Sequence, residues 1–289
     1  MQYYIIRRLL LLVPVLLVVT LVIFFVMRIV PGDITTLIMQ EGGSAEQAAR
    51  LRRELGLDQP LHSQYFQWLW GVLRLDLGTS LWTNRPILEE LALRIPVSVE
   101  LALLSTLLAL AMAIPLGVVS AVKQDTWVDY ALRLFSIGGL SMPNFWIGLL
   151  LILFLALVVR WLPEYGYRSL WEDPWTNLQQ FIWPSLAMGY RYAAVLMRMT
   201  RSQMLETLRQ DFVRTARAKG LLESVVLYRH TLKNAVLPVV TLAGIQFAGI
   251  LGGLVIIESL FALPGIGRAV VQAVSTRDYP MIQAVVLLI

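Results

Sequence analysis

Residues 9–27 read LLLLVPVLLVVTLVIFFVM, 19 residues without a charge. As a helix at about 1.5 Å per residue they reach about 29 Å, the thickness of a bilayer's hydrocarbon core. Arg7 and Arg8 precede the run and hold the N-terminus on the cytoplasmic side. Pro14 falls in the first turns, where one lost backbone donor is tolerated. The run is longer than the apolar part of a secretory leader, and no small-x-small cleavage site comes after it. It reads as a retained first span.

Composition extends that reading to the whole chain. Of 289 residues, 57% are hydrophobic and 15% charged, against about 25% charged in a soluble domain. With no cysteine, disulfides, thiolate metal sites and cysteine nucleophiles are excluded. The net charge of +5 would suggest nucleic acid in a soluble protein. In a membrane chain it reflects cations kept on the cytoplasmic side, so no nucleic-acid partner is expected.

Further apolar runs stand at about 99–122, 132–159, 182–199 and 235–257. A last one opens at 279 and reaches Ile289 within about half a span, so the sixth span is expected to be truncated. Residues 31–95 are too polar to cross, with six arginines, eight acidic residues and no lysine. Two helices are predicted there, Ala45–Leu55 and Ser63–Leu75, broken by Gly56, Asp58 and Pro60. The aromatics Tyr65, Phe66, Trp68 and Trp70 suit either the outer membrane interface or a small packed cap. The fold class is thus an all-α polytopic membrane protein. Residues 1–30 hold the first span, 31–96 form a periplasmic helical insertion, and 97–289 form the core.

Polar residues interrupt the later runs. Ser141-Met142-Pro143-Asn144 breaks the third span, as a packing kink or a cavity lining. Arg191 lies within the fourth, which is read as interrupted at Gly189 and Arg191. A charge at mid-membrane costs about 2.5–3.5 kcal/mol, so Arg191 should face the protein interior or a wet cavity. Asn144, Arg191 and Gln246 are candidate pathway residues; a bond within the helix bundle is the alternative for each. The fifth span is rich in small residues, and the G-x-x-x-G pair Gly249 and Gly253 predicts a tight helix–helix seam. Glu258 closes that span, and Leu263-Pro264-Gly265-Ile266-Gly267 reads as an outer turn.

Between Arg198 and Lys233 stand eight Lys/Arg against three Asp/Glu, which places the loop in the cytoplasm. Its centre, residues 211–238, is DFVRTARAKGLLESVVLYRHTLKNAVLP. Residues 211–219 suit a helix, with Gly220 as C-cap and Lys219 against the dipole. A second short helix over 221–228 would show Leu222, Val225 and Val226 on one side, before a basic return through Arg229, His230 and Lys233. An apolar knob with a basic rim fits a groove on a soluble partner; a loop lying on anionic lipid is the alternative.

Catalytic signatures are missing. There is no phosphate-binding G-x-x-x-x-G-K-[ST], no H-E-x-x-H and no G-x-S-x-G. His62 and His230 are predicted on opposite sides of the membrane. The chain reads as a non-catalytic protein without metal or cofactor.

Arg214-Thr215-Ala216 with Gly220 beyond it resembles the E-A-A-x-x-x-G cytoplasmic signature of ABC importer permeases, with arginine at its first position. RTARAKGL, continued by His230, Asn234-Ala235 and Pro238, is similar to the variant of the dipeptide/oligopeptide/nickel group. So are Pro31-Gly32-Asp33, residues 55–61, Ser141–Phe145, Phe261-x-x-Pro264-Gly265-x-Gly267-Arg268 and Arg277-Asp278-Tyr279-Pro280. The resemblance implies a six-span type I importer permease in a bacterial inner membrane. It implies a second homologous permease, two cytosolic ATPases carrying ATP and Mg, and a periplasmic or lipoprotein solute-binding protein. Arg214, Thr215, Ala216, Arg217, Lys219, Gly220, Leu221, Leu222, Val225, Val226 and His230 would then form the coupling loop. The solute could be a peptide, nickel, glutathione or an oligosaccharide. A secondary transporter or channel without ATPases is the alternative.

Overall fold

The structure is a computed structural model that describes residues 2–29, 44–54, 56–162, 164 and 166–288. Pro31, Gly32, Asp33, Leu55 and Ile289 lie outside the described residues. Among the described residues every regular element is a helix, apart from one isolated antiparallel bridge between Thr79 and Pro86. Two compact units divide the chain, residues 1–95 with 269–289, and residues 96–268. Residues 269–289 thus group with the N-terminal unit, where the sequence reading sets them with the core.

In the first unit α1 spans Gln2–Ile29. Its apolar side chains are exposed over most of its length, as on a helix facing lipid. At its far end Ile23 and Phe24 are buried. Phe24 meets Tyr65 edge-on at 5.4 Å, and the Tyr65 and Thr20 hydroxyls pair at 3.0 Å. The aromatic helix α3, Leu61–Leu73, therefore packs on α1 as a cap, while Phe66 and Trp70 stay exposed. Before it stands α2, Ala45–Glu54. The helix nearest the C-terminus, α10 (Tyr279–Leu288), is capped by Asp278, which accepts from the Ser80 hydroxyl at 2.5 Å and the Met281 amide at 3.3 Å. A carboxylate at that position satisfies an orphan amide.

The second unit is built on three helices. They are α4 (Ile87–Val122, entering this unit at Pro96), α7 (Pro174–Leu208) and α9 (Glu223–Leu260). Their buried faces meet in layers. Leu101 and Ala102 lie with Phe181, Met188, Ile250 and Leu254; Ala109 and Ala113 with Leu196, Met197, Val239 and Ala243. Small residues let α4 and α7 approach closely. A Cβ on Gly189 would come 2.9 Å from the Ser105 carbonyl, and one on Gly117 2.6 Å from Thr200 Cβ.

Three helices are long and apolar enough to cross a membrane among the described residues, Ile5–Ile29, Ile87–Val122 and Glu223–Leu260. A fourth candidate is a bent pair, α5 (Trp127–Ser141) and α6 (Asn144–Val159), turned by 105°. The run 132–159 is therefore two helices that meet at the Ser141–Asn144 break the sequence shows. Pro143 has no amide to donate and drives Met142 into an extended conformation, ψ 132°. The break is a right-angle corner, not a kink. The fourth run also differs from expectation. Gly189 and Arg191 interrupt nothing, because α7 is one unbroken helix of 35 residues. Most of its face toward α4, α5 and α9 is buried against protein, so its modest apolarity reflects the little surface left for lipid.

Candidate functional site

The basic loop folds into α8, Asp211–Ala218, then a corner, then α9. Val213 and Ala216 on α8 are buried with Val226 and partly buried Leu208. The helix ends in a two-bond C-cap. Gly220 N donates to the Arg217 carbonyl at 2.9 Å, and Leu221 N to the Ala216 carbonyl at 3.4 Å. Gly220 has φ +74° and open space around its Cβ position. The left-handed backbone is therefore what calls for glycine here. Across the corner the Arg217 guanidinium holds the Glu223 carboxylate through two bonds.

Beyond the corner the structure departs from the sequence expectation. The segment after Glu223 is not a separate short helix with a return. It continues without interruption to Leu260. Its first turns widen into a π segment, Val226–Leu232, where the Thr231 hydroxyl donates to the Val226 carbonyl at 3.0 Å. Such widened turns recur at functional positions. Val226, expected on an exposed knob, is wholly buried, and Ala216 is buried as well; both fasten the corner. Leu222 is 74% exposed. Arg214, Thr215, Arg217, Lys219, Gly220 and Leu221 are also exposed, and Val225 and His230 are half-buried. Phe212 and Tyr228, absent from the sequence-based site, extend the apolar surface at 42% and 64% exposure. Their lack of any role in the core pattern was the available signal.

A second polar centre ties α5 to α7. Asp129 is fully buried and accepts from Arg201 Nε at 2.8 Å and Nη2 at 2.7 Å, Ser120 Oγ at 2.5 Å and the Asp125 amide at 3.1 Å. With both oxygens doubly occupied, the buried charge is compensated. A third centre lies at the other end of α9. Glu258, also fully buried, accepts from Ser98 Oγ at 2.6 Å and the Arg268 amide at 3.0 Å, while Ser98 Oγ accepts from the Ile266 amide at 2.8 Å. A Cβ on Gly265 would land on the Glu258 carboxylate, and one on Gly267 would come 2.6 Å from Val255 Cα. The Pro-Gly-Ile-Gly stretch is therefore a close-approach seat on α9 and not merely a turn.

The pathway candidates are not joined to one another by a hydrogen bond or ion pair among the described residues. Asn144 opens α6 and Gln246 lies on α9; each turns a buried side-chain oxygen that has no protein donor. Arg191 is exposed on α7. The tight seam expected at Gly249 and Gly253 is not formed among the described residues. Gly244, Gly249 and Gly252 have open space at their Cβ positions, and Gly253 makes only an ordinary 3.5 Å contact with Met188.

Residues 113–289 match the family described as Binding-protein-dependent transport system inner membrane component. Residues 1–102 match its N-terminal counterpart, Binding-prot-dependent transport system membrane comp, N-term. The chain belongs to this family. As an inner membrane component it is similar to the Dipeptide transport system permease protein DppB of Alkalihalophilus pseudofirmus, at 38% identity over 90% of this chain and 84% of the relative. It is 40% identical to the Glutathione transport system permease protein GsiC of Salmonella choleraesuis, over 90% of this chain and 82% of the relative. The ABC permease resemblance thus holds along the chain, and with it the all-helical membrane fold and a transport role.

Proposed function

We propose that this inner membrane component is the permease subunit of an ATP-driven importer for peptide-class solutes. Dipeptide and glutathione permeases among its relatives support that class. In this reading it pairs with a second, homologous permease. Two cytosolic ATPases supply ATP and Mg, and a periplasmic or lipoprotein binding protein delivers the solute. The chain itself binds no cofactor and catalyses nothing. Its N-terminus and its basic loop face the cytoplasm, residues 31–96 face outward, and residues 97–289 carry the permease core.

The observation that carries the reading is the corner at Gly220. Leu222, Phe212 and Tyr228 are exposed in and around it, as are Arg214 and Lys219, and it leads straight into α9. An exposed apolar tip with a basic rim suits a groove on a soluble ATPase. Because α9 begins at the corner, displacement of the tip moves a core helix directly, as alternating access requires. Asn144, Gln246 and Arg191 are assigned to the pathway side, where Arg191 would attract a peptide carboxylate.

The test is uptake of a labelled dipeptide by cells expressing the assembled importer. Leu222→Asp and Gly220→Pro should abolish uptake and co-purification of the ATPases while the chain stays in the membrane. Normal uptake by both variants would refute the coupling role. Uptake that persists without any ATPase would refute the importer reading itself.

A further inference from the structure

Between α5 and α7 lies a cavity of about 800 Å³ that the coupling corner does not use. Arg133, Arg198, Arg201 and Arg209 line it, against the single acid Glu206. Residues 198, 201 and 205 keep helical spacing on α7, and Arg209, its C-cap residue, continues that face. Arg201 is engaged by Asp129 through two bonds. Arg133 reaches the same carboxylate only at 3.9 Å and lies over the Tyr130 ring at 5.4 Å. Arg198 and Arg209 form no ion pair among the described residues. The carboxylate beneath the cavity is thus saturated, and surplus positive charge faces the open space.

The walls are not purely polar. Ile137, Met197 and Leu205 also line the cavity. The α5 flank outside it exposes Leu134, and the helix begins with exposed Trp127 and Tyr130. Exposed aromatics at a helix start, with an apolar face beyond them, mark a membrane interface. A free aqueous anion would need the arginines alone. An amphiphile needs both arginines and apolar wall, and basic pockets between spans on the cytoplasmic side hold anionic headgroups.

We propose that this cavity binds the phosphate headgroup of an anionic phospholipid from the cytoplasmic leaflet, with Arg198 and Arg209 as its principal ligands. Gln210, which lines the cavity, is also the N-cap residue of α8. An occupied cavity therefore braces the base of the docking corner. The inference rests on the proposed membrane orientation and not on the solute carried.

The complete transporter in nanodiscs of phosphatidylcholine with a minor share of phosphatidylglycerol would be analysed by native mass spectrometry, without nucleotide or solute. The wild type should retain phosphatidylglycerol selectively. Arg198→Gln with Arg209→Gln should lower that enrichment about 25-fold, about fivefold per arginine. Arg198→Lys with Arg209→Lys should keep most of it, since the charges remain. Arg201 is left unchanged because Asp129 depends on it. Equal retention of the two lipids, or unchanged enrichment in the glutamine pair, would overturn the proposal. Displacement of the lipid by inorganic phosphate would overturn it too, by assigning the cavity to a free anion. A chain that carries no solute but retains the lipid would refute only the transport reading.

Discussion

Arg217 Nη2 and Nε donate to the two oxygens of Glu223 at 2.6 and 3.2 Å, closing a clamp over the Gly220 corner. Its acid, Glu223, lies a dozen residues ahead of the apolar 235–257 stretch, on the exposed start of α9. Reversing one charge, in Arg217→Glu, should loosen the corner and reduce uptake. The swap Arg217→Glu with Glu223→Arg should recover much of it, since the pair is re-formed with opposite sense. Failure of the swap to improve on the single variant would show that Arg217 contacts a partner directly.

The same pair predicts a pH response. Bonding to Arg217 holds the Glu223 carboxyl below its ordinary range. A depressed carboxylate stabilises the fold fully above its unfolded value of about 4.3, and that contribution fades as pH falls through the lower folded value. Amide-exchange protection at Gly220 and Leu221, corrected for intrinsic rate, should be flat from about pH 8 to about pH 5 and fall only below about pH 4. Loss of protection near neutral pH would contradict the assignment.

Gly220→Ala should cost about 1–2 kcal/mol through the left-handed backbone alone, because nothing crowds the site. Gly220→Asn should cost less, as asparagine tolerates that region. Limited proteolysis at the corner in membranes would rank the three side chains.

Asp129→Ala strips Arg201 of its buried partner and should destabilise the chain by about 3–5 kcal/mol. Asp129→Leu combined with Arg201→Met should recover most of that, because no uncompensated charge remains. Thermal unfolding in detergent gives the comparison.

Gly267→Ala would push against Val255 Cα and should cost about 3 kcal/mol, the upper end of overpacking. Gly249→Ala meets open space inside α9 and should raise the isolated chain's stability by about 0.5–1 kcal/mol, the helix-propensity gain alone.

The membrane class, the basic loop and the glycine C-cap are legible in the sequence because each rests on local chemistry, namely apolar runs, charge bias and a helix stop before Gly220. Other features depend on packing that no local pattern displays. The 105° turn at Pro143 reads as a kink, since proline marks a break without stating its angle. The α7 helix reads as weak because its apolar share answers to protein neighbours, not lipid. Val226 reads as exposed under a 3.6-residue period, whereas the backbone there is a π turn. Glu258 and Gly265 look unrelated until folding places the carboxylate where a Cβ would stand. The glycines of α9 suggest a seam that this chain makes elsewhere, at Gly117 and Gly189.

The continuity of α9 has a mechanical consequence. Its 38 residues form a rod about 57 Å long. A tilt of only about 5° at one end sweeps the other through about 5 Å, nearly a helical pitch. Glu258 and the Gly267 seat pin that far end to Ser98 and the backbone around Arg268. A tilt of the rod would therefore also load the Glu258–Ser98 bond, and through it α4.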